Sequence, residues 1–270
     1  MFPLIPAGMS PWWYFICVGL SVLIMAVGKG GFGGGGIGIL AIPLMALVLG
    51  ARQMLGVMLI VLILCDLLAN LFYLRDYDVP RLKWMVLGGL IGIGVGTIIF
   101  WQLRGIPPAM FGRITGLLVG VLCLLIVLLQ CYRLMGGKVP TLPPHPASGV
   151  AVGVVAGTLS TLNHAAGPVT TLYLLQEKLE KRKLVGTMLL YTLIGNIAKL
   201  PTFLLLTMPD GRTLIDAAVV RDCLWFLPLI PLGILGGVWM NRRVAEKPFI
   251  VIMYIATAVV AGQMIWKSIQ

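Results

Sequence analysis

The sequence predicts an all-α polytopic membrane protein made of two inverted repeats, each a broken or re-entrant helix pair followed by three transmembrane helices. Of its 270 residues, 59% are hydrophobic and only 11% are charged, and the mean hydropathy is +1.02. A soluble domain of this composition lacks the polar side chains to cover its surface, so lipid must be the solvent for most of the chain. Apolar runs of membrane length recur along the sequence in two sets with the same order.

The apolar segments fall into two sets of five, separated by a polar, proline-rich linker at residues 136–148. We therefore predict a first repeat over residues 1–139 and a second over residues 140–270, within a single membrane domain. The segments occupy residues 12–27, 37–48, 54–74, 84–101 and 114–131 in the first repeat, and residues 148–159, 167–175, 184–206, 224–240 and 249–266 in the second.

A shift of 130 residues aligns the third segments of the two sets. It lays LGVMLIVLI at residues 55–63 on VGTMLLYTL at residues 185–193, with a glycine, a methionine and a leucine in register. The alternative is chance similarity between two apolar sequences. The repeated order of segments favours a duplication.

The first two segments of each set are too short to be two ordinary crossings. Residues 147–176 must hold both segments of the second repeat and their turn, whereas each full crossing needs about 20 residues. This favours half-helices that turn back near the membrane middle. Because such a pair begins and ends on one side and three spans follow, each repeat makes an odd number of crossings. The two repeats are then inverted relative to each other.

The distribution of basic residues supports this inverted arrangement. If residues 176–183 face the cytoplasm, twelve Lys and Arg residues lie on the cytoplasmic side and six on the opposite side. Short cytoplasmic loops carry the excess of positive charge in membrane proteins. The predicted orientation has both termini outside.

Composition also argues against several other classes of protein. The net charge of +11 comes from Lys and Arg residues in short loops between apolar segments, so it does not indicate a nucleic-acid groove. The five cysteines are odd in number and lie in or beside apolar segments, which argues against a disulfide framework or a zinc site.

A glycine tract interrupts the first repeat, where residues 28–36 read GKGGFGGGG. It is not a dinucleotide-binding fingerprint or a P-loop, because no βαβ unit surrounds it and the G-K-[ST] motif is absent. A half-helix that starts in such a tract points its positive end and free N–H groups at the break, which suits a small anion. The alternative is that the glycines only allow close helix packing or a hinge. We predict substrate contacts from Gly33, Gly34, Gly35 and Gly36.

The corresponding break in the second repeat, residues 158–168, reads TLSTLNHAAGP. Hydroxyl, amide and imidazole groups inside an apolar region need partners, and an oxyanion would provide them. We predict substrate contacts from Asn163, His164 and Ala165, with His164 as an anion ligand or a proton relay. The alternative is purely structural hydrogen bonding between helices by groups such as Ser160.

Two charged residues lie inside long apolar segments, Asp66 in the first repeat and Lys199 in the second. Such residues are costly in a membrane unless they have a counterion, a substrate or a route to the surface. The 130-residue shift lays Asp66 on Asn196. We predict that Lys199 binds substrate and that Asp66, Asn70, Asn196 and Lys29 act in coupling or gating, with Lys29 at the pore entrance. The alternative is a structural Asp66–Lys199 ion pair.

The pattern GGGGIGILAIPLM, the long span with LGVMLIVLI and the second copy of the same plan resemble the TauE/SafE (sulfite exporter) family over nearly the whole chain. The resemblance implies an inner-membrane permease for small sulfur-containing anions such as sulfite or organosulfonates, with other organic anions moved by some members.

These observations together predict a secondary transporter that binds its anion at the repeat interface near the membrane midplane. The alternatives are an anion channel, a permease for another small organic anion and a membrane-embedded enzyme. We expect neither catalysis nor a cofactor, because His145 and His164 are far apart and no metal-ligand cluster is evident. The expected partners are the small anion and the lipid bilayer, without nucleic acid, and formation of a homo-oligomer stays open.

Overall fold

The computed structural model consists of α-helices and their connections in the residues that it describes. These are residues 4–5, 8–32, 41–45, 48–49, 51–103, 105–107, 142–143, 145–177, 179–207 and 211–243, with isolated single or paired positions between 110 and 132 and between 248 and 269. The helices are α1 (Pro11–Phe32), α2 (Ala41–Met45), α3 (Ala51–Asn70), α4 (Val79–Leu103), α5 (Pro146–Asn163), α6 (Ala166–Gln176), α7 (Lys181–Leu205), α8 (Ala217–Phe226) and α9 (Leu229–Arg243).

Four of these helices, α1, α3, α4 and α7, are long and apolar enough to cross a membrane. Helices α8 and α9 form a fifth candidate span, bent by 54° between them. The prediction of an all-α, multi-pass membrane protein is therefore confirmed for the described residues. The predicted spans at residues 114–131 and 249–266 lie for the most part outside them.

Helices α5 and α6 meet at a tight break around His164. Helix α5 begins after His145, whose side chain accepts a hydrogen bond from the Ala147 N–H, and it ends where His164 takes up a left-handed conformation with φ 53° and ψ 23°. The His164 N–H donates to the Ser160 carbonyl at 3.0 Å, which closes the last turn of the helix. A residue other than glycine in this conformation is uncommon and turns the chain sharply.

The chain folds back after this break, so α5 and α6 form a helical hairpin. The Tyr173 hydroxyl, near the end of α6, lies beside Gly149 near the start of α5. The Gln176 side chain accepts a hydrogen bond from the Leu142 N–H, just before α5. With 11 residues, α6 is about 16 Å long, roughly half of the hydrocarbon thickness of a bilayer.

Helices α3 and α7 lie side by side in opposite directions at the centre of the described fold. The loop after α3 meets the start of α7, where Arg182 pairs with Asp76 at 2.7 Å. The start of α3 meets the loop after α7, where Gly56 lies against the Leu214 carbonyl. Near the middle of the pair, Asn196 donates a hydrogen bond to Asp66 at 2.7 Å.

Two further helix pairs are held at close range by glycine, α4 with α5 and α1 with α9. A Cβ atom built on Gly88 or Gly92 of α4 would lie 2.0 or 2.1 Å from a backbone carbonyl oxygen of α5. In the second pair, a Cβ on Gly30 or Gly237 would lie 2.3 Å from a carbonyl oxygen of the partner helix. These contacts leave no room for a side chain, so part of the chain's glycine serves helix packing.

We expect Gly88→Ala to lower the free energy of unfolding by about 1–3 kcal/mol, because the new methyl group forces α4 and α5 apart. Gly94→Ala is the matched control on the same helix, since a Cβ there has no neighbour within 4 Å among the described atoms. The control should keep or slightly raise stability, because alanine is the better helix former. Thermal unfolding in detergent measures both, and equal midpoints for the two variants would contradict the close packing.

Candidate functional site

The last turn of α1 carries Lys29 into the interior, where it forms an ion pair with Asp66 of α3. The ammonium nitrogen lies 2.6 Å from the Asp66 carboxylate. Only 4% of Lys29 and none of Asp66 is exposed. We expected Lys29 at a pore entrance, but it lies inside the fold. The reason is that α1 stays helical through Phe32 and directs Lys29 toward a buried counterion. The partner of Asp66 is likewise Lys29 and not Lys199.

Helix α7 supplies the remaining contacts of this pair. Asn196 donates to one carboxylate oxygen of Asp66, and the Thr192 hydroxyl lies 3.1 Å from the other. Lys29 also donates to the Thr192 hydroxyl at 2.8 Å. A buried ion pair is tolerated only when such additional hydrogen bonds satisfy its remaining atoms. We name Lys29, Asp66, Thr192 and Asn196 the ion-pair cluster.

Asn70 lies one turn beyond Asp66, but its side chain does not reach the carboxylate. It donates to the Asp66 backbone carbonyl at 2.7 Å and accepts a hydrogen bond from the Tyr77 hydroxyl at 3.3 Å. Thr192 was not among the predicted residues. A signal for it exists in the sequence, because Thr192 is a polar residue one helical turn before Asn196 and therefore on the same face of α7.

Lys199 forms a second polar cluster with the end of α5. Its ammonium group contacts the Ser160 hydroxyl at 2.9 Å, the Ser160 carbonyl at 3.2 Å and His164 Nδ1 at 3.3 Å. An ammonium group has three donors and no acceptor, so the three contacts match its charged form. Among the described contacts of Lys199 every partner is neutral, although the residue has no exposed surface.

His164 links this lysine to α3. Its Nε2 atom lies 3.0 Å from the Leu55 carbonyl oxygen, which only accepts hydrogen bonds. Nε2 therefore carries the ring proton, and Nδ1 presents its lone pair to the Lys199 ammonium. The imidazole is neutral in this arrangement. We name Lys199, Ser160 and His164 the lysine cluster.

The two clusters meet at a cavity of about 30 Å³, with room for about two water molecules. Polar groups from both clusters line it together with the first residues of α6 and four apolar side chains. The described lining residues are Met25, Lys29, Ile42, Met58, Leu62, Ser160, His164, Ala166, Gly167, Thr192 and Asn196. Lys199 is not among these lining residues, but it contacts Ser160 and His164, which are.

The start of α6 faces the same cavity through Ala166 and Gly167. Ala165 occupies the N-cap position of α6, and no side chain there forms a hydrogen bond to the first turn. The N–H groups of a first helical turn have no partners within the helix, and the helix dipole makes this end positive. The cavity therefore offers backbone donors beside its side chains.

The other predicted contacts are distributed unevenly. Asn163 and Ala165 are buried at the α5–α6 break, but the described cavity wall is formed by their neighbours His164 and Ala166. Gly33, Gly34, Gly35 and Gly36 lie outside the described residues, so their predicted role stays a prediction.

A family model described as sulfite exporter TauE/SafE matches residues 18–264. The chain belongs to this family. The resemblance seen in the glycine tract and the repeated segments is thereby confirmed. Neither the curated proteins nor the solved structures that were compared with the chain gave a match.

Members of the sulfite exporter TauE/SafE family are transporters, which agrees with the apolar helices of this multi-pass membrane protein. The family suggests a sulfite or related sulfur-containing anion as the transported species. A pocket of donors and positive charge inside the fold has the chemistry that such an anion requires.

Proposed function

We propose that this protein is a secondary transporter of small sulfur-containing anions such as sulfite or organosulfonates, and that it binds them in the cavity between the ion-pair cluster and the lysine cluster. The observation that carries the proposal is a cavity lined by the buried Lys29 and the start of α6, with the buried Lys199 in contact with Ser160 and His164 of the cavity wall. The small volume of this cavity favours the most compact anions of the class.

Electrostatics explain why an anion would occupy this space. The charge of Lys29 is balanced by Asp66, whereas the described contacts of Lys199 are all neutral. A buried charge without a counterion is unfavourable in a medium of low dielectric constant. An oxyanion supplies the counterion and accepts hydrogen bonds from the surrounding donors, and Asn163 and the glycines at positions 33–36 would extend this donor set.

The antiparallel contact of α3 and α7 supports a site between two inverted repeats, residues 1–139 and 140–270. These helices are the third elements of the two repeats, and Asp66 and Asn196, which are 130 positions apart, touch at their centre. The glycine contacts also come in two corresponding sets, α1 with α9 and α4 with α5. In the proposed orientation the protein lies in the inner membrane with both termini outside.

Cysteine labelling tests this topology. In a background without the five native cysteines, we expect Leu74→Cys and Glu180→Cys to react from the cytoplasmic side, since the loop after α3 meets the start of α7. Arg212→Cys, beyond the end of α7, should react only from the opposite side. All three positions are exposed. Labelling of Leu74→Cys and Arg212→Cys from the same side would contradict inverted repeats.

A ligand screen tests the function itself. Purified protein is heated with sulfite, sulfate, thiosulfate or several sulfonates, and a ligand of the native state raises the unfolding temperature. The anion that binds is then followed in proteoliposomes. Saturable flux driven by a second gradient supports a secondary transporter, whereas unsaturated flux at channel rates would favour an anion channel. Absence of both binding and flux for every anion would overturn the proposal.

A further inference from the structure

The described charged side chains around the cavity sum to a net charge of plus one. Lys29 and Asp66 cancel each other, and Lys199 contributes one positive charge that no described carboxylate contacts. His164 is neutral, because Nε2 donates to the Leu55 carbonyl and Nδ1 accepts from Lys199.

In the part of the chain that the structure describes, no other ionisable group of the surrounding helices changes this sum. Helices α2, α5 and α6 contain no Asp, Glu, Lys or Arg, and neither does the sequence between α1 and α2. Cys65 and Tyr191 are neutral groups near neutral pH. The basic first turn of α7 lies at the far end of that helix, where Arg182 pairs with Asp76. Arg52, the basic residue of α3, is in its first turn, fourteen positions before Asp66.

We infer that the site selects singly charged anions, and that a doubly charged anion binds only when a proton enters with it. This inference rests on the proposed function of the cavity. A monoanion such as hydrogen sulfite or an alkylsulfonate brings the buried charge to zero. A dianion leaves an uncompensated negative charge in the protein interior, which is strongly unfavourable. The extra proton is carried most simply by the anion itself, as when sulfite binds as hydrogen sulfite.

Asp66 sets this selectivity without a direct role as an anion ligand. It neutralises Lys29, so only one of the two buried lysines is available to the substrate. If Asp66 were an amide, both lysine charges would be uncompensated and the net charge would be plus two. The preference should then shift toward dianions.

Methanesulfonate and sulfate test the inference, because they have similar tetrahedral shapes and differ by one charge. We expect the purified protein to bind methanesulfonate about tenfold or more tightly than sulfate at equal ionic strength. Sulfite affinity should fall as the pH rises through its second ionisation. Methanesulfonate affinity should stay level over the same range, which controls for titration of the protein. Asp66→Asn should lower the ratio of the affinity for methanesulfonate to the affinity for sulfate. Glu177→Gln, which removes a carboxylate outside the cavity wall, should leave this ratio unchanged.

The outcomes separate this inference from the proposed function. Proton uptake on binding is measured by calorimetry in two buffers. If the wild-type protein binds both anions with equal affinity and takes up no proton, the charge selection is overturned, but the proposed function is not. Binding of neither anion, or binding that Lys199→Met leaves unchanged, would count against the cavity as the anion site. If Asp66→Asn alone does not fold, the double variant Lys29→Met with Asp66→Asn replaces it. This variant has the wild-type net charge, so it should still bind methanesulfonate more tightly than sulfate.

Discussion

Lys199→Met is expected to weaken the binding of small sulfur oxyanions by about a hundredfold. The substitution removes the one positive charge near the cavity whose described partners are all neutral, while a side chain of similar length still fills the space. Without this charge the bound anion is buried with no counterion, which costs about 3 kcal/mol, or about a hundredfold in Kd. Isothermal calorimetry or ligand-dependent thermal shift on the purified protein measures the effect.

Lys183→Met is the matched control for this prediction. It makes the same substitution on the same helix, but Lys183 is exposed in the first turn of α7 and lies far from the cavity wall. Binding should then stay within about twofold of the wild-type value, as expected for a screened surface charge. If both variants bind the anion like the parent protein, the site is not at Lys199.

Asp66→Asn is expected to lower the free energy of unfolding by about 3–5 kcal/mol and to impair net transport. The substitution leaves the Lys29 ammonium buried without its counterion, which is the costly half of a broken ion pair. Anion binding should stay measurable, because Asp66 is the counterion of Lys29 and does not contact the anion. Its negative charge repels the substrate, so its removal takes away no favourable contact. Thermal unfolding in detergent, binding and proteoliposome flux are measured on the same preparation.

A double-mutant cycle gives this prediction its control. Adding Lys29→Met to Asp66→Asn removes the orphaned charge, so much of the lost stability should return, although flux should not. The cycle reports the coupling energy of the pair. Additive effects of the two substitutions would mean that Lys29 and Asp66 do not interact in the protein. Unchanged flux and unchanged proton dependence in Asp66→Asn would remove Asp66 from the transport mechanism.

Much of the fold was predictable, because the membrane imposes strong local rules. Apolar runs of sufficient length must become helices, since backbone groups in lipid have no other partners. The interruption at His164 was also visible, as polar residues inside an apolar run, and the structure has a left-handed residue there. The burial of Asp66 and Lys199 follows from the same reasoning, since both stand in the middle of apolar segments.

The helical class, the position of the second break and the presence of buried charges could therefore be predicted from the residues alone. The packing of the helices was needed to show that Asp66 pairs with Lys29, that Thr192 joins this pair and that His164 forms a hydrogen bond with the Leu55 carbonyl. The physical reason is that hydropathy and periodicity act along one helix, whereas a hydrogen-bond partner depends on which helices lie side by side. That arrangement depends on backbone contacts such as that of Gly88 with Val150. A glycine in the sequence shows that a close contact is possible, but not which residue makes it.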